Sequence, residues 1–93
     1  MLSAVTKSTR ADKKYMAEFT DGTVTHFGGA GYDDYTTFPA AIRDEKRRLY
    51  RIRHAHDKLT SPRSAGALSY YLLWGASPSL SDNIRDFKKR FRV

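Results

Sequence analysis

Residues 13–29 read KKYMAEFTDGTVTHFGG, and this stretch decides the fold class. Tyr15, Ala17 and Phe19 alternate with Met16, Glu18 and Thr20, the period of two that sends successive side chains to opposite faces of a strand. Asp21-Gly22 interrupts the alternation, and Val24 and Phe27 resume it. Asp-Gly tolerates the positive φ angles of a two-residue type I′ turn, so the stretch predicts an antiparallel hairpin over residues 13–28. A lone hairpin is unstable in water and needs helices to cover it.

Working outward, residues 1–12 (MLSAVTKSTRAD) show no periodicity and mix Ser, Thr, Lys and Arg, which predicts a mobile basic arm. On the other side, GGAGYDDYTT leads into a helix expected over about residues 37–56, with Pro39 in its first turn and Phe38, Ile42, Leu49 and Ile52 on its inner side. Either Asp33 or Asp34 is suited to cap backbone groups near its start. Ser61-Pro62 begins a second helix, over 62–74, which is apolar almost all round and so expected to be central and buried, with Gly75 as its stop. Ser77-Pro78 begins a third, over about 78–91, with an inner seam of Leu80, Ile84, Phe87 and Phe91. The expected fold is α+β: an N-terminal two-stranded antiparallel hairpin packed on three helices, one domain over residues 13–93.

Composition narrows the function classes. The chain has 93 residues, 40% of them hydrophobic and 13% aromatic, enough core-forming side chains for a folded domain. It has no cysteine, which excludes disulfides and thiolate metal sites. No apolar run approaches the length that spans a bilayer or forms a signal peptide, so the expectation is a protein that is neither secreted nor membrane-bound.

Net charge is +7 and is segregated along the chain. Residues 15–42 contain four acids and no Lys or Arg, whereas residues 43–58 carry seven cations against three acids, and residues 85–93 carry five against one. In the first basic helix Arg43, Arg47, Arg51, His54 and Lys58 follow steps of three or four and form one line, expected to face outward. In the last helix Arg85, Lys89 and Arg92 form another, with Lys88 beside it. These nine residues are the candidate nucleic-acid contacts: two basic lines and a basic arm in so short a chain form an electrostatic footprint for a polyanion, and arginine suits phosphate because its guanidinium grips oxygens in pairs. The bland alternative is that the lines are solvated helix faces. Zinc-finger spacing, a leucine-zipper basic region and RNP-type aromatics are all missing, which points to backbone-dominated, sequence-tolerant binding.

Other chemistry has weaker support. Gly29-Ala30-Gly31 lacks the lysine and remaining glycine of a phosphate loop and precedes two carboxylates. His54 and His56 sit about 200° apart on a helix and cannot easily share a metal. Asp33, Asp34 and His26 form the only acid/base-like group, a composition more typical of capped turns than of catalysis. The expectation is a protein without catalytic activity, cofactor, metal or small-molecule substrate.

The segments FGGAGYDDYT, KRRLYRIRHAHD, SPRSAGALSYYLLWG and NIRDFKKRF together resemble a family of small basic proteins from large DNA viruses of algae and protists, over about residues 13–91. Phe27-Gly28, Gly31-Tyr32, Asp34-Tyr35-Thr36, Arg53-His54, Ala65-Gly66, Leu68-Ser69, Leu72-Leu73-Trp74 and Arg90-Phe91 carry the resemblance. It implies a viral setting, in the virion or the viral factory in the host cell, where a basic protein would help neutralise packed DNA. The rival expectation is an assembly scaffold that self-associates, or binds another virion protein, by docking its acidic hairpin half on basic helices.

Overall fold

Strand β2, Lys13–Phe19, lies at the centre of a three-stranded antiparallel sheet of order β1-β2-β3 and turns Tyr15, Ala17 and Phe19 toward the core. The computed structural model describes residues 1–57 and 59–93. Strand β3, Val24–Gly29, pairs with β2 so that Tyr15 stands opposite Phe27 and Glu18 opposite Val24.

The hairpin loop differs from the two-residue turn expected. Gly22 N donates to Phe19 O at 3.0 Å and Phe19 N to Thr23 O at 2.9 Å, enclosing three residues. Gly22 has φ 87°, while Asp21 does not enter the positive-φ region. A type I turn followed by one left-handed glycine is the three-residue alternative, and it needs positive φ at a single position. The longer loop leaves the Asp21 carboxylate free to accept from Thr23 N at 2.9 Å and from Arg63 at 2.8 Å. Hydrogen bonds from Thr23, with the Arg63 charge behind them, hold that carboxyl at about 2.

The sheet has a strand more than expected. Part of the supposed mobile arm is β1, Leu2–Lys7, which pairs antiparallel with β2. Its alternation is hidden by an irregularity between Leu2 and Ala4: Leu2 opposes Phe19, and Ala4 opposes Glu18. The extra residue resets the parity, so Leu2 and Val5, three apart, both reach the core.

Helix α1, Ala40–Arg53, starts later than expected because Pro39 is its N-cap rather than a first-turn residue. The residues before it are organised by Asp34, whose side chain is buried. Asp34 Oδ1 accepts from Thr36 N at 2.8 Å and from the Thr36 hydroxyl, Oδ2 accepts from Lys14 Nζ at 2.6 Å, and Asp34 O accepts from Thr37 N and Phe38 N. This knot ties the loop after β3 to strand β2.

Helix α2, Ala65–Leu68, is capped by Ser64, whose hydroxyl accepts from Ala67 N, rather than by Ser61-Pro62. It continues as a π-helical turn, Ser69–Leu73, closed by Trp74 N on Ser69 O at 3.1 Å. Ala67, Leu68, Leu72, Leu73 and Trp74 are buried, so this is the central element against which the sheet and the last helix pack. Helix α3, Leu80–Phe91, is capped by Ser79, not by Ser77-Pro78, and packs Leu80, Ile84, Phe87 and Phe91 against the core.

Gly75 ends the central element under severe crowding: a Cβ there would stand 2.3 Å from Tyr71 O and 2.7 Å from Asn83 Cγ. Gly75→Ala should therefore destabilise the fold by about 2–3 kcal/mol, read as a lowered urea midpoint at unchanged slope. A loss below about 0.5 kcal/mol would show that the backbone yields there without cost.

Candidate nucleic-acid interface

The central helix ends inside the protein, so its last carbonyls must find donors other than water. Leu72 O accepts from Asn83 Nδ2 at 2.9 Å, and Leu73 O from Tyr35 N at 3.0 Å. Trp74 O accepts from Arg47 Nε at 3.2 Å and Arg51 Nε at 3.0 Å, and Gly75 O from Arg47 Nε at 2.7 Å. Cations at a helix C-terminus also meet the negative end of its dipole. Two α1 arginines thus complete a helix that their own helix does not contain.

That requirement reverses the expected orientation of α1. Arg43, Arg47, Arg51 and His54 do form one line, but it faces the body of the protein. Arg43 and Arg47 lie over the Tyr35 ring at 5.8 and 5.6 Å, and Arg51 over Tyr70 at 4.2 Å. His54 stacks on Tyr50 at 4.1 Å, Tyr50 stacks on Trp74 at 4.4 Å, and His54 Nδ1 pairs with Asp57 at 2.7 Å. Ile42, Leu49 and Ile52, expected on the inner side, are exposed, and α1 has no buried residue at all. Guanidinium-to-carbonyl and ring contacts have replaced aliphatic burial as what holds this helix. His56 is exposed beyond the helix end, and Lys58 lies outside the described residues.

The inward line still leaves basic surface. Arg47 and Arg51 use Nε on the carbonyls and, together with Arg90 of α3, line one cleft of about 300 Å³ between the two helices. Tyr71 and Asn83 also line it, and Asp86 is its one carboxylate. Burial, and then the Arg47 charge, push the Arg51 guanidinium down. Arg90 lies over Tyr71 at 4.6 Å. Charge alone does not reveal Arg90 as the α3 member of this cleft; its place three residues after Phe87, beside the apolar seam, is the sequence signal that marks it.

Lys88, Lys89 and Arg92 are exposed on a different side of α3 from the cleft residues Asn83, Phe87 and Arg90, and they make no ion pair among the described residues. Arg85, expected beside them, is paired with Asp82 at 3.1 Å. Arg92 is the left-handed C-cap of α3, φ 54°. The basic surface therefore has two parts, three arginines in a cleft and a lysine and arginine face on the outer side of α3. The acids of the other half are largely committed: Asp21 to Arg63, Asp34 to Lys14.

The ring stack behind the cleft gives a pH signature. Burial, with Asp57 nearby, pushes the Tyr50 phenol up to about 12. Because its folded value is raised, its stabilising contribution is intact below the ordinary tyrosine range near 10 and is lost as pH rises toward 12. A urea midpoint that falls across this window in the wild type, and less in Tyr50→Phe, is the expected result; identical pH profiles would remove Tyr50 as the cause.

Among the described residues no group of His, Asp and Glu is placed to hold a metal ion, and no helix is long and apolar enough to cross a membrane. Residues 4–54 match the model of a family described as a family of unknown function (DUF5754). No curated protein and no solved structure matches the chain.

Proposed function

The chain belongs to the DUF5754 family, and we propose that it is a non-catalytic, largely sequence-tolerant nucleic-acid-binding protein that grips the phosphate backbone between α1 and α3. The observation that carries this reading is the convergence of Arg47, Arg51 and Arg90 on one cleft; Lys88, Lys89 and Arg92, exposed on the outer side of the same α3, add positive charge. Three guanidiniums around one carboxylate leave net positive charge in a confined space, where an entering phosphate would meet several donors and relieve their mutual repulsion. Arg43, over the Tyr35 ring, His54, stacked on Tyr50 and paired with Asp57, and Arg85, paired with Asp82, are secondary contacts in this reading. In the setting the resemblance implies, the polymer is viral DNA, and the protein helps to neutralise it.

Fluorescence anisotropy with labelled DNA across a salt series tests this. With about five phosphates neutralised, log affinity should fall against log salt with a slope of about −4 to −5. Affinity that ignores salt, or no binding at about 50 mM salt, would sink the reading. One observation favours a second reading: Ile42, Leu49 and Ile52 are exposed together on α1, as a self-associating scaffold would present them. Light scattering that shows concentration-dependent oligomers, together with unshifted DNA, would favour the scaffold.

A further inference from the structure

A second cavity, of about 390 Å³, lies on the opposite flank of α1 from the arginine cleft, between that helix and the loop after β3. Its volume falls in the range of small-ligand sites. Trp74, Phe38, Tyr50 and Tyr32 supply aromatic walls, and Lys46 and Arg53 of α1 supply cations. Gly28 and Gly29 line it without side chains: at Gly28, φ 78°, a Cβ would stand 2.7 Å from Leu73 Cδ1, and the Tyr32 ring lies against Gly29, 2.9 Å from where a Cβ would stand.

The pieces are already arranged for a planar ring that carries an anionic group beside it. Tyr50 covers one face of Trp74 with the rings nearly parallel at 6°. Tyr32 is 76% exposed yet held against Gly29, an aromatic ring displayed to solvent at the mouth of an aromatic cavity. Lys46 Nζ sits 5.7 Å from the Phe38 ring centre, and Arg53 makes no ion pair among the described residues. Of the two carboxylates present, Asp34 is neutralised by Lys14, and Asp33 accepts from the Thr37 hydroxyl at 3.0 Å. Aromatic walls beside cations are how proteins hold single strands: bases stack on rings while phosphates meet the charge. Bases inside a duplex are already stacked on each other and cannot enter.

We propose that this cavity receives an unpaired nucleobase, with the adjoining phosphate held by Lys46 and Arg53, so that the protein prefers single strands to duplex. The inference rests on the nucleic-acid reading above and adds a site that the arginine cleft does not include. Trp74 is the only tryptophan in the chain, which makes its fluorescence a local reporter. An oligothymidylate should quench Trp74, and a duplex of equal length, bound through the arginine cleft, should not. Tyr32→Ala, at an exposed position, should weaken single-strand binding by about tenfold and leave duplex affinity and the urea midpoint unchanged. Single-strand binding without quenching, or a Tyr32→Ala effect equal on both polymers, would overturn the cavity proposal while leaving the nucleic-acid reading in place. Failure of both polymers to bind would overturn that reading and the cavity with it.

Discussion

Asp34→Ala is expected to lower stability by about 3–5 kcal/mol, the range for breaking a buried ion pair from one side. The Asp34 side chain is 2% exposed and that of Lys14 16%, so removing the carboxylate strands an ammonium in a place that water barely reaches. The same change removes the acceptor for Thr36 N and for the Thr36 hydroxyl. A domain of this size has about 5–15 kcal/mol in total and commonly sits at the lower end, so the variant should be partly unfolded at 37 °C. Asp34→Asn keeps an acceptor for Thr36 but still leaves Lys14 unpaired, and should lose less than the alanine variant. Lys14→Met combined with Asp34→Asn removes both charges and should recover part of that loss, giving a coupling of about 1–3 kcal/mol in a double-mutant cycle. Denaturant titrations of the wild type, Asp34→Asn, Lys14→Met and the double variant measure it. An Asp34→Ala loss below about 1 kcal/mol would mean the pair is not what ties the loop to β2.

This knot also shows how far local chemistry can be read from a linear sequence. Asp-Asp-Tyr-Thr-Thr has the composition of a capped turn, and a turn is what forms; that its partner is Lys14 depends on strand pairing, which spacing does not encode. The helices of the C-terminal half follow their apolar pattern because burial against one core is what that pattern reports. The α1 pattern has the same form and the opposite outcome. Ile42, Leu49 and Ile52 read as an inner stripe, but the inner position is taken by Arg47, Tyr50 and Arg51, because an interior helix end elsewhere needs donors for Trp74 O and Gly75 O. No periodicity rule sees that need, since it is created by the π-helical turn Ser69–Leu73, well downstream of the helix that answers it. Strand β1 is hidden for a simpler reason: one extra residue between Leu2 and Ala4 breaks the alternation that marks a strand. The charge runs are plain in the sequence, but which cations face inward is settled only by packing.

Two classes of arginine follow, and variants should separate them. Arg47→Ala with Arg51→Ala is expected to cost about 3 kcal/mol, because two buried carbonyls lose charged donors that are each worth about 1.5–3 kcal/mol and act on overlapping acceptors. Nucleic-acid affinity should fall as well, but that loss cannot be divided between contact and unfolding. Lys89→Gln with Arg90→Gln is the cleaner pair: both side chains are exposed, and neither makes an ion pair among the described residues. The pair loses only the Arg90 contact over Tyr71, so stability should stay within about 1 kcal/mol of wild type. The salt dependence of DNA binding should become shallower by about two contacts, from a slope of about −4.5 to about −2.7. Lysine at position 51 adds a third comparison. Arg51→Lys keeps the positive charge but loses the fixed planar fork that lets Nε meet the Trp74 carbonyl while the guanidinium lies over Tyr70. It should therefore be destabilised with its salt slope preserved, the mirror image of the α3 pair. If instead Lys89→Gln with Arg90→Gln leaves the slope unchanged, phosphate does not meet the protein on α3, and the cleft between the two helices is not where it grips DNA.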